Sequence, residues 1–187
     1  MSWDELRSSV KGCSKCEMAK TRKNVVIGRG SSQPLVSFIG EAPGEEEDHK
    51  GMPFIGRAGQ VLDAEIKRIG LSYNEYYIMN ACKCRPITKD FKNRKPTEPE
   101  MNNCEPFFVA QLRLLRPHIA VLLGQSAKDA FYASSADTIP VCLSFIHPAF
   151  TLYKPKMYLV FREQFNKLQR IVEGLRGERK NKENSLF

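Results

Sequence analysis

In Phe38-Ile39-Gly40-Glu41-Ala42-Pro43-Gly44-Glu45-Glu46-Glu47-Asp48, a short apolar strand runs into a turn of small residues, and the turn ends in four acidic residues. A turn with few side chains lets a planar ligand lie against the peptide backbone, and the acids place negative charge beside it. A solvated acidic loop after an ordinary strand has the same pattern. Whether this stretch is a ligand-binding turn or a solvated loop depends on which side chains follow the other strands.

Outward from this stretch, four short apolar runs alternate with helical patterns. This alternation is typical of βαβ units, in which a mostly parallel sheet is covered by helices on both faces. The sequence predicts an α/β fold with a single three-layer α/β/α domain over residues 1–175 and a basic, disordered tail over 176–187. The predicted strands of the four-stranded, mostly parallel sheet are 35–39, 76–79, 118–123 and 141–145, and the predicted helices are 3–10, 58–69, 97–115, 126–132 and 157–175.

The carboxyl ends of parallel strands meet at one edge of a sheet, where ligands bind. The first predicted strand ends in the turn 40–44, the second in Asn80, the third in residues 124–126, and the fourth in His147. We therefore expect the glycine-containing turn, the amide and the imidazole to face one another.

The composition indicates an intracellular, folded protein. The chain has 187 residues, of which 42% are hydrophobic, and this suits one domain. No apolar run approaches the roughly 20 residues of a membrane span, and the N-terminus lacks a secretion pattern. We expect the cytoplasm or nucleoid. The net charge of +8 favours an anionic partner such as nucleic acid over the alternative of simple solubility.

Six cysteines in such a chain favour a metal site or reactive thiols over disulfides. Cys13 and Cys16 form a C-x-x-C pair, and Cys84 and Cys104 follow later in the chain. The pair suits an iron–sulfur cluster and a zinc ion equally, and Cys82 competes with Cys84 as third ligand.

The motifs taken together resemble the family 4, iron–sulfur uracil-DNA glycosylases. They are GEAPGEEED at 40–48, GMPFIGRAG at 51–59, NACKCRP at 80–86, Cys104, and HPAFTL at 147–152. The resemblance covers residues from about 13 to 170. It implies a DNA-repair hydrolase that flips uracil out of DNA and hydrolyses the N-glycosidic bond, leaving an abasic site. It also implies a [4Fe-4S] cluster on Cys13, Cys16, Cys84 and Cys104, with Cys82 and Cys142 as buried free thiols.

The resemblance implies roles for the residues at the strand ends. Phe54 would stack on the flipped base, although it also suits a core position. The Asn80 amide offers a donor and an acceptor to N3–H and O4 of uracil, although it also suits a turn. His147 would donate to O2, where negative charge grows as the base leaves. Gly40 and Ala42 would line the pocket.

Glu41 and Asp48 are the candidates for placing the attacking water and stabilising the cationic sugar. The best-known uracil-specific glycosylases carry an aspartate and a tyrosine in the comparable turn, where this chain has Ala42 and Gly44. Water activation and thymine exclusion are therefore expected to fall to other residues.

DNA phosphates are expected to contact Lys83, Arg85, Lys154 and Lys156, and Phe150 and Leu152 are expected to fill the hole left by the flipped base. A related branch of glycosylases that links covalently to the abasic sugar uses a histidine in a basic loop. Residues 89–96 contain no histidine, so we expect a monofunctional hydrolase.

Two other functions stay open. One is a non-catalytic iron–sulfur nucleic-acid-binding module. The other is a metal-dependent nuclease that uses residues 45–48 as a magnesium site, which is disfavoured because the other strand ends lack carboxylates. The expected partner is uracil-containing DNA, single- or double-stranded, bound by a monomer. Residues 185–187 weakly suggest a sliding-clamp peptide, and a frayed end is the simpler interpretation.

Overall fold

The structure, a computed structural model, describes residues 1–134 and 141–184, with the backbone alone described from 178 onward. The central sheet consists of β1 (Arg29–Gly30), β2 (Val36–Gly40), β3 (Tyr76–Asn80), β4 (Ile119–Leu123) and β5 (Val141–Phe145). The strand order is β1-β3-β2-β4-β5. All pairs are parallel except β1 with β3, which is antiparallel. In the register, Gly40 lies beside Asn80.

Helices cover both faces of the sheet. The described helices are α1 (Trp3–Lys11), α2 (Met18–Thr21), α3 (Glu45–Lys50), α4 (Arg57–Arg68), a 3-10 turn (Tyr73–Glu75), α5 (Glu98–Leu115), α6 (Gln125–Ala133), α7 (Pro148–Tyr153) and α8 (Met157–Asn184). On one face, α4 and α8 pack against the sheet through Leu62, Ile66, Phe161, Phe165, Leu168 and Val172. On the other, α5 and α6 do so through Phe108, Leu112, Leu115 and Phe131.

This arrangement confirms the predicted α/β class, the three layers and the mostly parallel sheet. The predicted count of four strands is too low by one, because β1 has only two residues and no apolar pattern. At Gly30, with a φ of 123°, a side chain would collide with the backbone of Tyr76. The close approach of β1 to β3 therefore depends on glycine.

The last helix continues past the predicted end at residue 175. The Arg176 side chain donates to both carboxylate oxygens of Glu75, at 2.6 and 2.7 Å, and to the carbonyl of Gly70 at 3.0 Å. These contacts connect Arg176, one residue beyond the predicted domain end, to the residues before β3. Residues 185–187, with their suggested clamp peptide, lie outside the described residues. Among the described residues, no helix has both the length and the apolar character needed to cross a membrane.

Candidate active site

A cavity of about 230 Å³ opens at the carboxyl ends of the parallel strands. It collects side chains from β3, from the turn after β2, and from the segment after β5, as the predicted convergence requires. Its lining residues are Ala42, Gly44, Glu47, Phe54, Ala58, Asn80, Asn93 and His147.

Gly40 lets the Asn80 amide and the Phe54 ring approach each other. A methyl group at Gly40 would collide with Asn80 Oδ1 and would lie 2.6 Å from Phe54 Cζ. Asn80 is 2% exposed, and the Phe54 ring lies 5.9 Å from the His147 ring, centroid to centroid. The three predicted substrate-binding side chains therefore lie around one small space.

Phe54 has a left-handed backbone, with a φ of 52°, which is rare for a bulky residue. Arg29 in β1 holds it in place, with Nε donating to the Pro53 carbonyl at 3.0 Å and Nη2 to the Phe54 carbonyl at 3.2 Å. Asp63 in α4 anchors the same guanidinium at 2.6 Å. The short strand that the sequence pattern missed thus orients the aromatic wall of the cavity.

His147 is the N-terminal cap of α7. Its Nδ1 accepts a hydrogen bond from the backbone N–H of Ala149 at 3.1 Å, so the neutral ring carries its proton on Nε2. Burial lowers the pKa of His147, partly opposed by the negative charge of Glu47. The residue is therefore arranged as a neutral donor through Nε2.

Glu47 is the carboxylate in the lining of the cavity, and sequence reasoning did not single it out. Its Oε1 accepts from the N–H groups of Ile55 and Gly56, and its Oε2 from that of Gly44, each at 3.1 Å. Glu47 is the third residue of α3, and by accepting from the N–H of the N-cap residue Gly44 it forms the glutamate half of a capping box. The signal available in the sequence was a glutamate three residues after a glycine that precedes a helix. The neighbouring acidic residues did not allow this glutamate to be distinguished from the others in the run of four.

The two carboxylates predicted to be catalytic lie elsewhere. Asp48 is 2% exposed, and its Oδ1 accepts from the backbone N–H groups of Lys23 and Asn24 at 2.9 and 3.3 Å. In the structure the Asp48 carboxylate stabilises a loop, and its catalytic role stays a prediction. Glu41 is half-buried beside the cavity, and its carbonyl accepts from Cys82 N–H.

Two of the residues predicted to bind phosphates face inward. Lys83 is 1% exposed and donates to the Asn80 carbonyl and to Gln111 Oε1. Burial lowers its pKa to about 8. Arg85 donates to Asn93 Oδ1 at 2.6 Å and to the Phe91 carbonyl at 3.2 Å. Both side chains are occupied within the protein, and their contacts with DNA stay predictions.

The other predicted DNA contacts lie on and after α7, directly beyond His147. Lys154 and Lys156 are exposed, Phe150 is 38% exposed and Leu152 is half-buried. Lys154 Nζ lies 5.2 Å from the centre of the Phe150 ring. This surface combines positive charge with an apolar edge next to the cavity.

Three of the four predicted cluster cysteines lie together with Met18 and Cys82. They are Cys16, two residues before α2, Cys84 after β3, and Cys104 in α5. Arg22 donates to Cys84 Sγ at 3.3 Å, and the Cys82 thiol donates to Met101 Sδ at 3.1 Å.

Cys13, the fourth, packs at the edge of the adjoining apolar cluster of α1 and α5. Within residues 1–134 and 141–184, no three His, Cys, Asp or Glu side chains converge on one metal position. Soft thiol donors from separate segments nevertheless suit an iron–sulfur cluster or zinc.

Comparison with known proteins gives consistent results. A sequence model of the uracil DNA glycosylase superfamily matches residues 27–176. A Type-4 uracil-DNA glycosylase of Saccharolobus solfataricus is 36% identical over an alignment of 186 residues, covering 89% of this chain and 84% of that protein. The one from Archaeoglobus fulgidus is 33% identical, covering 89% and 92%. The crystal structure of wild-type Pedobacter heparinus SMUG2 shares the fold, with a TM-score of 0.56, 14% identity, and coverage of 78% and 77%.

Proposed function

Because the chain belongs to the uracil DNA glycosylase superfamily, we propose that it is a monofunctional DNA-repair glycosylase that hydrolyses the bond between uracil and deoxyribose. The observation that carries this proposal is the cavity at the strand ends. It combines an aromatic wall, a buried amide, a neutral imidazole donor and a fixed carboxylate in a space of about 230 Å³.

Base recognition is assigned to Phe54 and Asn80. A flipped uracil stacks on the Phe54 ring and pairs its N3–H and O4 with the Asn80 amide. Cytosine presents the opposite donor and acceptor pattern at these atoms, so a fixed amide rejects it. Lys83 fixes the backbone at Asn80, since its ammonium group donates to the backbone carbonyl of Asn80 and to the side chain of Gln111.

Departure of the base is assigned to His147. As the C1′–N1 bond breaks, its electron pair moves into the uracil ring and negative charge collects on O2. The Nε2–H of the neutral imidazole donates to that oxygen, and a donor already fixed in place stabilises the transition state without rearrangement. The burial that lowers the pKa of His147 keeps the ring neutral at physiological pH.

Water placement is assigned to Glu47, with Glu41 as the neighbouring acid. A carboxylate has about four acceptor positions, and three backbone N–H groups occupy three of them on Glu47. The remaining position is available to orient a water toward C1′ and to receive its proton, while the negative charge stabilises the cationic sugar.

An iron–sulfur cluster is proposed on Cys13, Cys16, Cys84 and Cys104. In support, Cys16, Cys84 and Cys104 contribute to one apolar cluster although they come from separate segments of the chain. We infer a [4Fe-4S] cluster with a structural role, because it would connect the N-terminal segment to α5 across a long stretch of sequence.

The substrate is proposed to be uracil-containing DNA, bound by a monomer through Lys154, Lys156, Phe150 and Leu152. A repair enzyme of this kind works in the cytoplasm or nucleoid.

Incubation with a uracil-containing oligonucleotide in EDTA, followed by mild alkali, tests the proposed reaction. A glycosylase leaves an abasic site, so strand breaks appear only after alkali. Thymine- and cytosine-containing oligonucleotides and His147→Ala protein are the controls and should stay intact. Breaks before alkali that chelator abolishes would indicate the nuclease. Binding without abasic sites would indicate the non-catalytic module.

A further inference from the structure

Phe91 combines two features that are unfavourable for a folded protein. Its side chain is 72% exposed, and its backbone is left-handed, with a φ of 59°. A bulky residue rarely adopts this conformation, which suits glycine. Because such strain persists mainly where function requires it, Phe91 is a candidate for a contact with a partner.

The loop around Phe91 is firmly held. Phe91 N–H donates to the Thr88 carbonyl at 3.0 Å, and Thr88 N–H donates to the Lys92 carbonyl at 2.8 Å. Ile87 and Asn93 pair as an antiparallel bridge. The ring is therefore displayed at the tip of an ordered hairpin-like turn, which spans residues 87–93.

Arg85 connects this turn to the active-site cavity. Its guanidinium binds the Phe91 carbonyl and Asn93 Oδ1 together, and Asn93 lines the cavity. The guanidinium of Arg85 thus holds both the backbone of the aromatic tip and a residue of the cavity wall.

The charge around the tip suits a polyanion. Lys89, Lys92 and Lys95 are exposed on either side of Phe91, with Asp90 as the single acid in the turn. Phe91 and Lys89 also border a groove of about 240 Å³ against α2, which carries Met18 and is preceded by Glu17. An exposed ring flanked by lysines is the combination that binds unpaired bases, through stacking and phosphate contacts.

We propose that Phe91 stacks on an unpaired DNA base close to the flipped nucleotide. This contact is separate from those of Phe54, which faces the excised base, and of Phe150, which lies on α7. The proposal rests on the proposed function for its choice of DNA as partner. Through this contact, the turn 87–93 favours binding to single-stranded or locally opened DNA.

The test uses a uracil-free single-stranded oligonucleotide, with binding measured by fluorescence anisotropy and Tm measured on the same proteins. Phe91→Gly should keep or raise Tm, because glycine relieves the left-handed backbone, while affinity for DNA falls roughly tenfold or more. Phe91→Trp should retain affinity, and its added indole emission should change on binding. Tyr73→Ala is the matched control, since Tyr73 is 59% exposed before the amino end of β3, and it should bind DNA as the wild type does.

Wild-type affinity in both Phe91→Gly and Phe91→Ala would overturn the stacking contact. A Tm lowered by several degrees in Phe91→Gly, with DNA affinity unchanged, would assign the ring a structural role instead. Because the oligonucleotide contains no uracil, this result is independent of cleavage. A wild-type protein that binds through Phe91 but releases no uracil would contradict the proposed function and leave this inference standing.

Discussion

Asn80 is the side chain on which discrimination between uracil and cytosine depends. In Asn80→Asp, an ionised carboxylate no longer donates to O4 and repels it, so we expect uracil excision to fall by a factor on the order of a hundred or more. Single-turnover cleavage and DNA binding on one uracil duplex separate the chemical step from affinity. Asn102→Asp adds the same charge at an exposed position of α5 and should cleave normally. Near wild-type cleavage by Asn80→Asp would contradict the assigned pocket.

His147 is expected to titrate below the ordinary histidine value of 6.5, because burial lowers its pKa. The folded protein then binds this proton less tightly than the unfolded chain does. Well above pH 6.5 the ring is neutral in both the folded and the unfolded protein, so its titration does not change the free energy of unfolding. As the pH falls below 6.5, the unfolded chain takes up the proton first and the folded protein loses stability. NMR titration of the ring gives the midpoint, and His147→Asn, which can still cap α7, should show a weaker loss of stability. A midpoint at or above 6.5 would contradict the buried neutral ring.

The strand-end positions of Asn80 and His147 followed from the sequence, because parallel strands place their carboxyl ends at one edge. The roles of Glu47, Asp48 and Lys83 did not. Which acid in a run of four faces a cavity depends on how α3 is rotated, and the inward turn of Lys83 depends on Gln111 being available in α5. Both are properties of tertiary packing, which a local pattern does not contain.

At the scale of elements, α7 and the residues after it form the basic surface beside the cavity. Replacing Lys154 by Ala should reduce the slope of log affinity against log salt concentration by about 0.9, the value for one lost phosphate contact, and leave base preference unchanged. Lys67→Ala removes an exposed charge at the far end of α4 and should leave the slope as it is. An unaltered slope for Lys154→Ala would assign the DNA path to another face.

The cysteines connect α2, α5 and the segment after β3. In anaerobically purified protein, Cys84→Ala should lower the iron content and the broad blue absorption of an iron–sulfur cluster, together with Tm. Cys142→Ala, in β5 and packed on the α5 face, should keep the iron. A colourless wild-type protein with stoichiometric zinc would contradict the cluster.

At the scale of the whole molecule, Arg176 joins α8 to the 3-10 turn before β3. The hydrogen bonds from Arg176 lower the pKa of Glu75 from 4.5 to about 2, so this stabilisation is present above pH 4.5 and lost as the pH falls toward 2. Arg176→Ala should lower the free energy of unfolding by about 1 kcal/mol at pH 7, and by less at pH 3.

Arg170→Ala is the matched control, because both side chains of its ion pair with Glu163 are about 70% exposed and the pair should contribute little to stability.

Truncation after residue 175 should destabilise the protein as Arg176→Ala does, whereas truncation after 177 should not. If the two truncated chains are equally stable, Arg176 does not contribute to the folded domain and the domain ends at residue 175.

The closing position of α8 has a consequence for synthesis on the ribosome. Phe161, Phe165, Leu168 and Val172 share with α4 the cover of one face of the sheet, and His147 lies 14 residues before the first of them. A nascent chain that has emerged only through β4 lacks both the imidazole donor and the part of the cover that α8 provides. A chain that stops before β5 therefore exposes apolar surface on the sheet and lacks the imidazole donor, and we expect it to aggregate rather than fold into an active protein.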